Sequence, residues 1–177
     1  MINIKTPLDK KTIESLKAGD RVLISGSLYV ARDAAHQRGL PFDVKGQIIF
    51  YAGPTPAVPT GRQGDPIGSI GPTTASRMDP FTIPLLEKGL AGTIGKGARS
   101  EEVKKAFKKY KAVYFAATGG AAALMGKTVR KVEVIAYPEL GPEAILKIEV
   151  FDFPAIVAYD AHGSDLFEKG INKYRVS

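Results

Sequence analysis

The run Gly68-Ser69-Ile70-Gly71-Pro72-Thr73-Thr74-Ala75-Ser76-Arg77-Met78-Asp79 gathers the groups of this chain best suited to holding a small anion. Gly71-Pro72 reads as a turn, and Thr73 or Thr74 as the cap of a following helix. Helix N-termini carry free N–H groups and a partial positive charge. Arg77, one turn into such a helix, adds a planar fork of donors that matches a carboxylate or phosphate. A hydroxyl would then stand beside the bound anion. The same residues also read as a capped helix start with a surface arginine, and spacing alone leaves both readings open.

Two further runs could join that chemistry. In Asp33-Ala34-Ala35-His36-Gln37-Arg38, Asp33 is a candidate N-cap and Gly39 a candidate stop. His36 and Arg38 then lie on a helical turn directly after a strand, where sheet proteins often place ligand-binding side chains. A plain surface turn is the other reading. Lys96 stands between Gly95 and Gly97, so backbone can approach whatever the lysine touches. The pattern is not a phosphate loop, because Gly97 follows the lysine where a Ser or Thr is required.

Composition narrows the classes. The 177 residues are 44% hydrophobic and 24% charged, which suits one soluble domain with its own core. No stretch reads as a membrane span, and Met1 to Lys11 lacks the apolar core of a secretory signal, so the expectation is cytoplasmic. The sequence has no cysteine, which excludes disulfides and any iron–sulfur cluster held by this chain alone. Its histidines, His36 and His162, are too far apart in sequence to suggest a zinc site, and no metal ligand is assigned. A formal charge of +7 permits nucleic-acid binding, but it also suits an acidic substrate or an acidic partner. The densest lysines, between Lys104 and Lys111, share one helical segment and read as a solvated face. Aromatic residues are not interleaved with basic ones as a base-stacking platform requires.

The elements that position these runs follow from periodicity. Thr12 to Leu16 reads as a short helix. Arg21 to Ala31 reads as a strand interrupted at Gly26-Ser27, either a hairpin or one strand with a bulge. Gln47 to Ala52 is a strand ended by Gly53-Pro54, and Thr55 to Pro66 a loop rich in proline. Phe81 to Lys88 has helical spacing limited by Pro84. Leu90 to Lys96 is a short strand. Ser100 caps the clearest helix, with Glu101 and Glu102 at its positive end and Val103, Ala106, Phe107 and Tyr110 as its buried stripe. Ala112 to Ala117 is an apolar strand, and Gly119 to Met125 a helix of small residues. Val129 to Tyr137 alternates as a half-buried strand. Ala144 to Phe151 and Ala155 to Tyr159 read as two strands joined at Asp152-Phe153-Pro154, followed by a turn and a short amphipathic tail. The sum is an α/β fold: one domain, residues 1–177, with a mixed sheet and short helices.

Seven runs taken in order carry a resemblance: Asp33 to Arg38, Tyr51-Ala52-Gly53-Pro54, Gly71 to Asp79, Gly95-Lys96-Gly97-Ala98-Arg99-Ser100, Gly119-Gly120-Ala121-Ala122, Glu139-Leu140-Gly141-Pro142-Glu143-Ala144 and Asp152-Phe153-Pro154-Ala155. Together they resemble the beta subunit of class I fumarate hydratase and L-tartrate dehydratase, a unit that forms the C-terminal domain of longer enzymes in that family. The resemblance runs from Leu23 to Phe167. Departures are small: Ala98 stands where the family often has Asn, Pro142 where it often has Met, and His162-Gly163-Ser164-Asp165 where Lys-Gly-Asn-Asp is usual.

The resemblance implies a hydro-lyase of dicarboxylates with a swivelling β/β/α domain. It implies a 4Fe–4S cluster acting as Lewis acid, held by cysteines of an alpha subunit and not by this chain. By motif position, Arg38, Arg77 and Lys96 would bind substrate carboxylates, and Thr73 would be the catalytic hydroxyl. His36 and Asp79 would support them from behind. An L-tartrate dehydratase, a hydratase of a methylated dicarboxylate, and a non-catalytic anion-binding or regulatory subunit remain as alternatives.

Overall fold

The structure, a computed structural model, describes residues 1–57 and 66–176. Among these the chain runs β1 (Ile2–Lys5), α1 (Lys10–Ser15), β2 (Arg21–Val30), α2 (Asp33–Arg38), β3 (Ile48–Phe50), β4 (Ala52–Pro54), β5 (Ile70–Pro72), α3 (Asp79–Glu87), β6 (Gly92–Gly95), α4 (Glu101–Lys109), β7 (Val113–Ala116), α5 (Ala122–Gly126), β8 (Val129–Ala136), β9 (Ile145–Tyr159) and α6 (Leu166–Tyr174). A 3-10 turn at Ala75–Met78 leads into α3, and a 3-10 segment at Pro138–Glu143, kinked at Gly141, leads into β9. This is the expected α/β fold, a mixed sheet with short helices. Among the described residues no helix is long and apolar enough to cross a membrane.

The main sheet has the order β1-β2-β3-β6-β7-β9-β8, and a further pairing of β2 with β9 closes it on itself. β2, β3, β6 and β7 run parallel, while β9 returns antiparallel to both β7 and β2. Residues on successive positions therefore face opposite layers. Ile48 and Phe50 of β3, and Val113 and Phe115 of β7, join β2 and β9 side chains in an inner core between the two halves of the sheet. Ile49 and Tyr114 point the other way, into a second core beneath Ala35 of α2, Leu86 of α3, and Val103 and Phe107 of α4. The result is two β layers and one helical layer.

Local chemistry explains several element boundaries. Ser100 caps α4 by accepting from the N–H of Val103 at 3.3 Å, as its sequence suggests. β2 is one strand with an irregularity between Ile24 and Gly26, the second of the two readings left open. β9 corrects the expectation of two strands, because it runs unbroken from Ile145 to Tyr159. Proline tolerates this location because residues 153–155 pair with β2 alone; β8 takes positions up to Val150, and β7 starts at Ile156. The missing N–H of Pro154 thus sits on a stretch of β9 with one neighbour.

The Gly-Pro pairs are also corrected. Gly71-Pro72 is not a turn, and Gly53-Pro54 does not end a strand: they lie in β5 and β4, paired antiparallel as Gly53 to Gly71 and Pro54 to Ile70. Asp33 is the first residue of α2 rather than its cap; Arg32 holds that position without a side-chain bond. Thr74 occupies the cap position of the 3-10 turn, again without a side-chain bond, and Arg77 lies in that turn rather than one turn into an α-helix. Most of the proline-rich loop, residues 58–65, lies outside the described residues.

Candidate active site

The parallel strands decide where the motif runs go. Each strand's carboxyl end delivers one of them: β2 leads into Arg32 and α2, β3 into Tyr51 and β4, β6 into Lys96, and β7 into Thr118 and Gly119. In parallel α/β sheets, open or closed, this edge is where ligands bind. The β4–β5 hairpin carries the chain back over the same edge, and Thr73 follows it directly.

Backbone bonds lock Thr73 to Lys96. The Thr73 N–H donates to the carbonyl of Tyr51 at 2.7 Å, and the Lys96 N–H donates to the carbonyl of Thr73 at 3.1 Å. Ala75 N–H returns a bond to the Lys96 carbonyl at 2.9 Å, which makes a bridge of Thr74 and Lys96. Gly95 makes this approach feasible. A Cβ there would fall 2.8 Å from the Cβ of Ala75. Gly97, at φ +81°, turns the chain sharply after the lysine. The Thr73 hydroxyl makes no hydrogen bond, and the exposed Lys96 ammonium has no carboxylate partner, among the described residues.

The arginines are held by carboxylates of the chain itself. Arg77 Nη2 binds Oδ2 of Asp33, tying the 3-10 turn to α2. Arg38, at the far end of α2, binds Glu139 and lies over the ring of Tyr137, 5.3 Å from its centroid. The Tyr137 hydroxyl donates to the carbonyl of Gly39 at 2.9 Å, fixing that end of the helix. Glu139 keeps its carboxyl below the usual carboxylate range, first through its own backbone N–H and then through Arg38. A third pair was not read from the sequence. Arg32 binds Glu143 at 3.0 Å, and the other Glu143 oxygen accepts from the Ala34 N–H at 3.3 Å, serving the α2 N-terminus that lacks a cap.

The two supporting residues behave differently. His36 is buried against Tyr51 and Phe81, with ring centroids 5.7 and 5.6 Å away. Its Nδ1 faces the carbonyl of Arg32 at 2.7 Å and must be the donor, because a carbonyl only accepts. Burial lowers its pKa from 6.5, which favours the neutral ring, and Nε2 has no hydrogen-bond partner among the described residues. Asp79 does not touch Arg77. Its Oδ1 accepts from Nε of Arg99 at 2.5 Å, and its Oδ2 from the Ser100 N–H at 2.8 Å.

Arg99 is the residue that sequence reasoning passed over. Its side chain is fully buried, 0% exposed. Nη2 donates to Oγ1 of Thr82 at 2.6 Å and Nη1 to Oγ1 of Thr93 at 3.3 Å. The guanidinium lies 5.4 to 5.8 Å from the ring centroids of Tyr114, Tyr51 and Phe107. Burial pulls its pKa down, but Tyr51 and Asp79 outweigh that and raise it, so it stays charged. In sequence it was one more cation in a basic chain, and only its position beside the capping Ser100 hinted otherwise.

Fold and site together define a domain that presents cations and a hydroxyl along the carboxyl edge of parallel strands. The family model described as the fumarase C-terminus matches residues 1–170, and the chain belongs to that family. It is 39% identical over 182 residues to fumarate hydratase 2 of Leishmania major, covering 95% of this chain and 31% of that protein. It is 41% identical over 167 residues to the anaerobic class I fumarate hydratase of Escherichia coli, covering 86% of this chain and 29% of that enzyme. A protein of Methanocaldococcus jannaschii, provisionally named L(+)-tartrate dehydratase subunit beta, is 38% identical over 179 residues; here the match covers 94% of this chain and 90% of the relative. The chain thus spans about a third of the fumarate hydratases and nearly all of the beta subunit.

Proposed function

We propose that this chain is the single-domain beta subunit of a class I iron–sulfur fumarate hydratase, working with an alpha subunit in the reversible hydration of fumarate to malate. Supporting this is the locking of Thr73 to Lys96 by paired backbone bonds, beside Arg77, on the edge where the runs after β2, β3, β6 and β7 meet. The 90% coverage of a beta subunit supports the division between two chains.

In this reading Lys96 and Arg77 hold one substrate carboxylate and Arg38 the other. Removing a proton next to a carboxylate builds negative charge on it, and fixed cations there stabilise the transition state more than the ground state. Thr73 moves the proton at that carbon. A neutral hydroxyl is a weak base, so it relies on the adjacent Lys96 charge or passes the proton onward. His36 and Asp79 act from behind, on α2 and on the Arg99 turn. The cluster implied by the family would supply a Lewis acid for the departing hydroxyl. This chain does not fit such a group, because it has no cysteine, and no cluster of three or more His, Asp or Glu occurs among the described residues. The alpha subunit would hold it, in a cytoplasmic hetero-oligomer.

The tartrate dehydratase subunit covered almost end to end favours a second substrate, L-tartrate. The test is kcat/KM of the assembled pair on fumarate, L-malate, L-tartrate and a methylated fumarate. The highest value on fumarate and malate supports the first reading, and the highest on tartrate supports the second. Turnover of none of them contradicts both.

A further inference from the structure

The groups assigned to substrate come from separate segments: Thr73 and Arg77 follow β5, and Lys96 follows β6. Each segment leads back to one buried side chain within two links. Arg99 lies over the ring of Tyr51, whose carbonyl holds the Thr73 N–H at 2.7 Å. Arg99 binds Asp79, two residues beyond Arg77, at 2.5 Å. It binds Thr82 at 2.6 Å, and the Thr82 hydroxyl spends its proton on the carbonyl of Met78 at 2.7 Å, gripping the same turn a second time. On the other side, Arg99 ends the Lys96 turn. Its own N–H donates to the Tyr159 hydroxyl at 2.8 Å, while the Tyr114 hydroxyl donates to the Gly97 carbonyl at 2.8 Å.

A core that needed only volume here would use an aliphatic residue. A guanidinium with no exposure is costly to desolvate and is stable only when its donors are met. Thr82 and Thr93 are both 0% exposed and supply oxygens to it. The planar fork fixes angles between three elements in a way that packing does not. It reaches no solvent and so does not touch substrate.

Resting on the hydro-lyase reading of the same edge, we propose that Arg99 is a positioning residue for the reaction: it sets the register between the Thr73–Arg77 segment and the Lys96 turn. The requirement is geometric, since displacement by about an ångström is enough to cost two orders of magnitude in rate. Positioning and bulk stability differ in what they disturb. A register clamp, when loosened, frees the Thr73 and Lys96 amides first. A plain core residue, when weakened, frees the whole domain.

The experiment uses Arg99→Lys and Thr82→Val, the second keeping shape while removing the oxygen. Amide hydrogen exchange is read in the full chain, and kcat and KM in the assembled pair. The expected result is exchange faster by about tenfold or more at Thr73 and Lys96, with the remote amide of Val157 unchanged. At temperatures well below unfolding, kcat falls by about tenfold or more while KM stays within about threefold. Equal acceleration at Thr73, Lys96 and Val157, or none at Thr73 and Lys96, overturns the positioning role, as does unchanged kcat in both variants. If the unmodified pair turns over no dicarboxylate, the hydro-lyase reading fails, and the exchange pattern still decides whether Arg99 sets the register.

Discussion

Asp33 binds the guanidinium of Arg77 through a single terminal nitrogen, joining the helix after β2 to the turn after β5. The rest of the arginine fork is left for another carboxylate, and Arg77 is about half exposed, at 49%. In this arrangement Asp33 aims the cation rather than neutralising a buried charge. Exposed pairs of this kind contribute only about 0.2–1 kcal/mol to stability. Asp33→Asn should therefore leave the melting temperature nearly unchanged and lower kcat/KM of the assembled pair by about tenfold through loss of alignment. A drop in melting temperature with full kcat/KM would make the pair a stabilising contact only.

Arg77→Lys keeps the charge and removes the fork. A lost charge-assisted bond amounts to about 1.5–3 kcal/mol, so kcat/KM should fall by roughly tenfold to a hundredfold. Steady-state kinetics on malate check this, and an unchanged value would place Arg77 outside the substrate's reach.

Thr73 has lost its competing role. A threonine capping a helix would give up about 1 kcal/mol on truncation to alanine, but here Thr74 holds the cap position and makes no side-chain bond. Thr73→Ala should keep the melting temperature and KM while kcat falls by about a hundredfold or more. Thr73→Ser should retain part of the activity, because the hydroxyl survives without the methyl that restricts its rotamer. Full kcat in Thr73→Ala would move the proton to a group on the partner.

His36 gives a stability prediction. Burial, its largest influence, lowers its pKa below 6.5, and the Arg99 charge adds to this, while its bond to Arg32 and the Asp33 charge oppose it. The unfolded chain therefore takes up this proton at a higher pH than the folded one. Well above 6.5 both states are neutral at this site and His36 adds no pH dependence. As pH drops below 6.5 the unfolded state gains the proton first, so folding stability falls. Urea midpoints measured from pH 7.5 to 5 should decline more in the wild type than in His36→Gln. Equal slopes would show that folding leaves the His36 pKa unshifted.

The sequence spelled out what depends on local pattern. Ser100 and the stripe through Phe107 gave α4 correctly, because cap and period lie within a few residues. The order β–α–β conveyed the mixed sheet. What stayed hidden depends on distant partners. Gly53-Pro54 looks like a strand end and Gly71-Pro72 like a turn until the two are paired with each other. Asp152-Phe153-Pro154 looks like a break until β2 lies beside it. The residues of the candidate site could be named from sequence, but their partners could not: neither the hold of Asp33 and Glu139 on two arginines nor the burial of Arg99 follows from spacing. Arg99 was one cation among many until Asp79, Thr82 and Thr93 closed around it.

The central claim is that these residues turn over a dicarboxylate only beside a cluster-bearing partner. The most direct test is fumarate hydration, followed as loss of the conjugated double bond under anaerobic conditions, by this chain alone, by the alpha subunit alone, and by the two mixed, each after iron and sulfide treatment. The account predicts malate formation from the mixture alone. Hydration by this chain by itself, or by the alpha subunit by itself at the rate of the mixture, would contradict it.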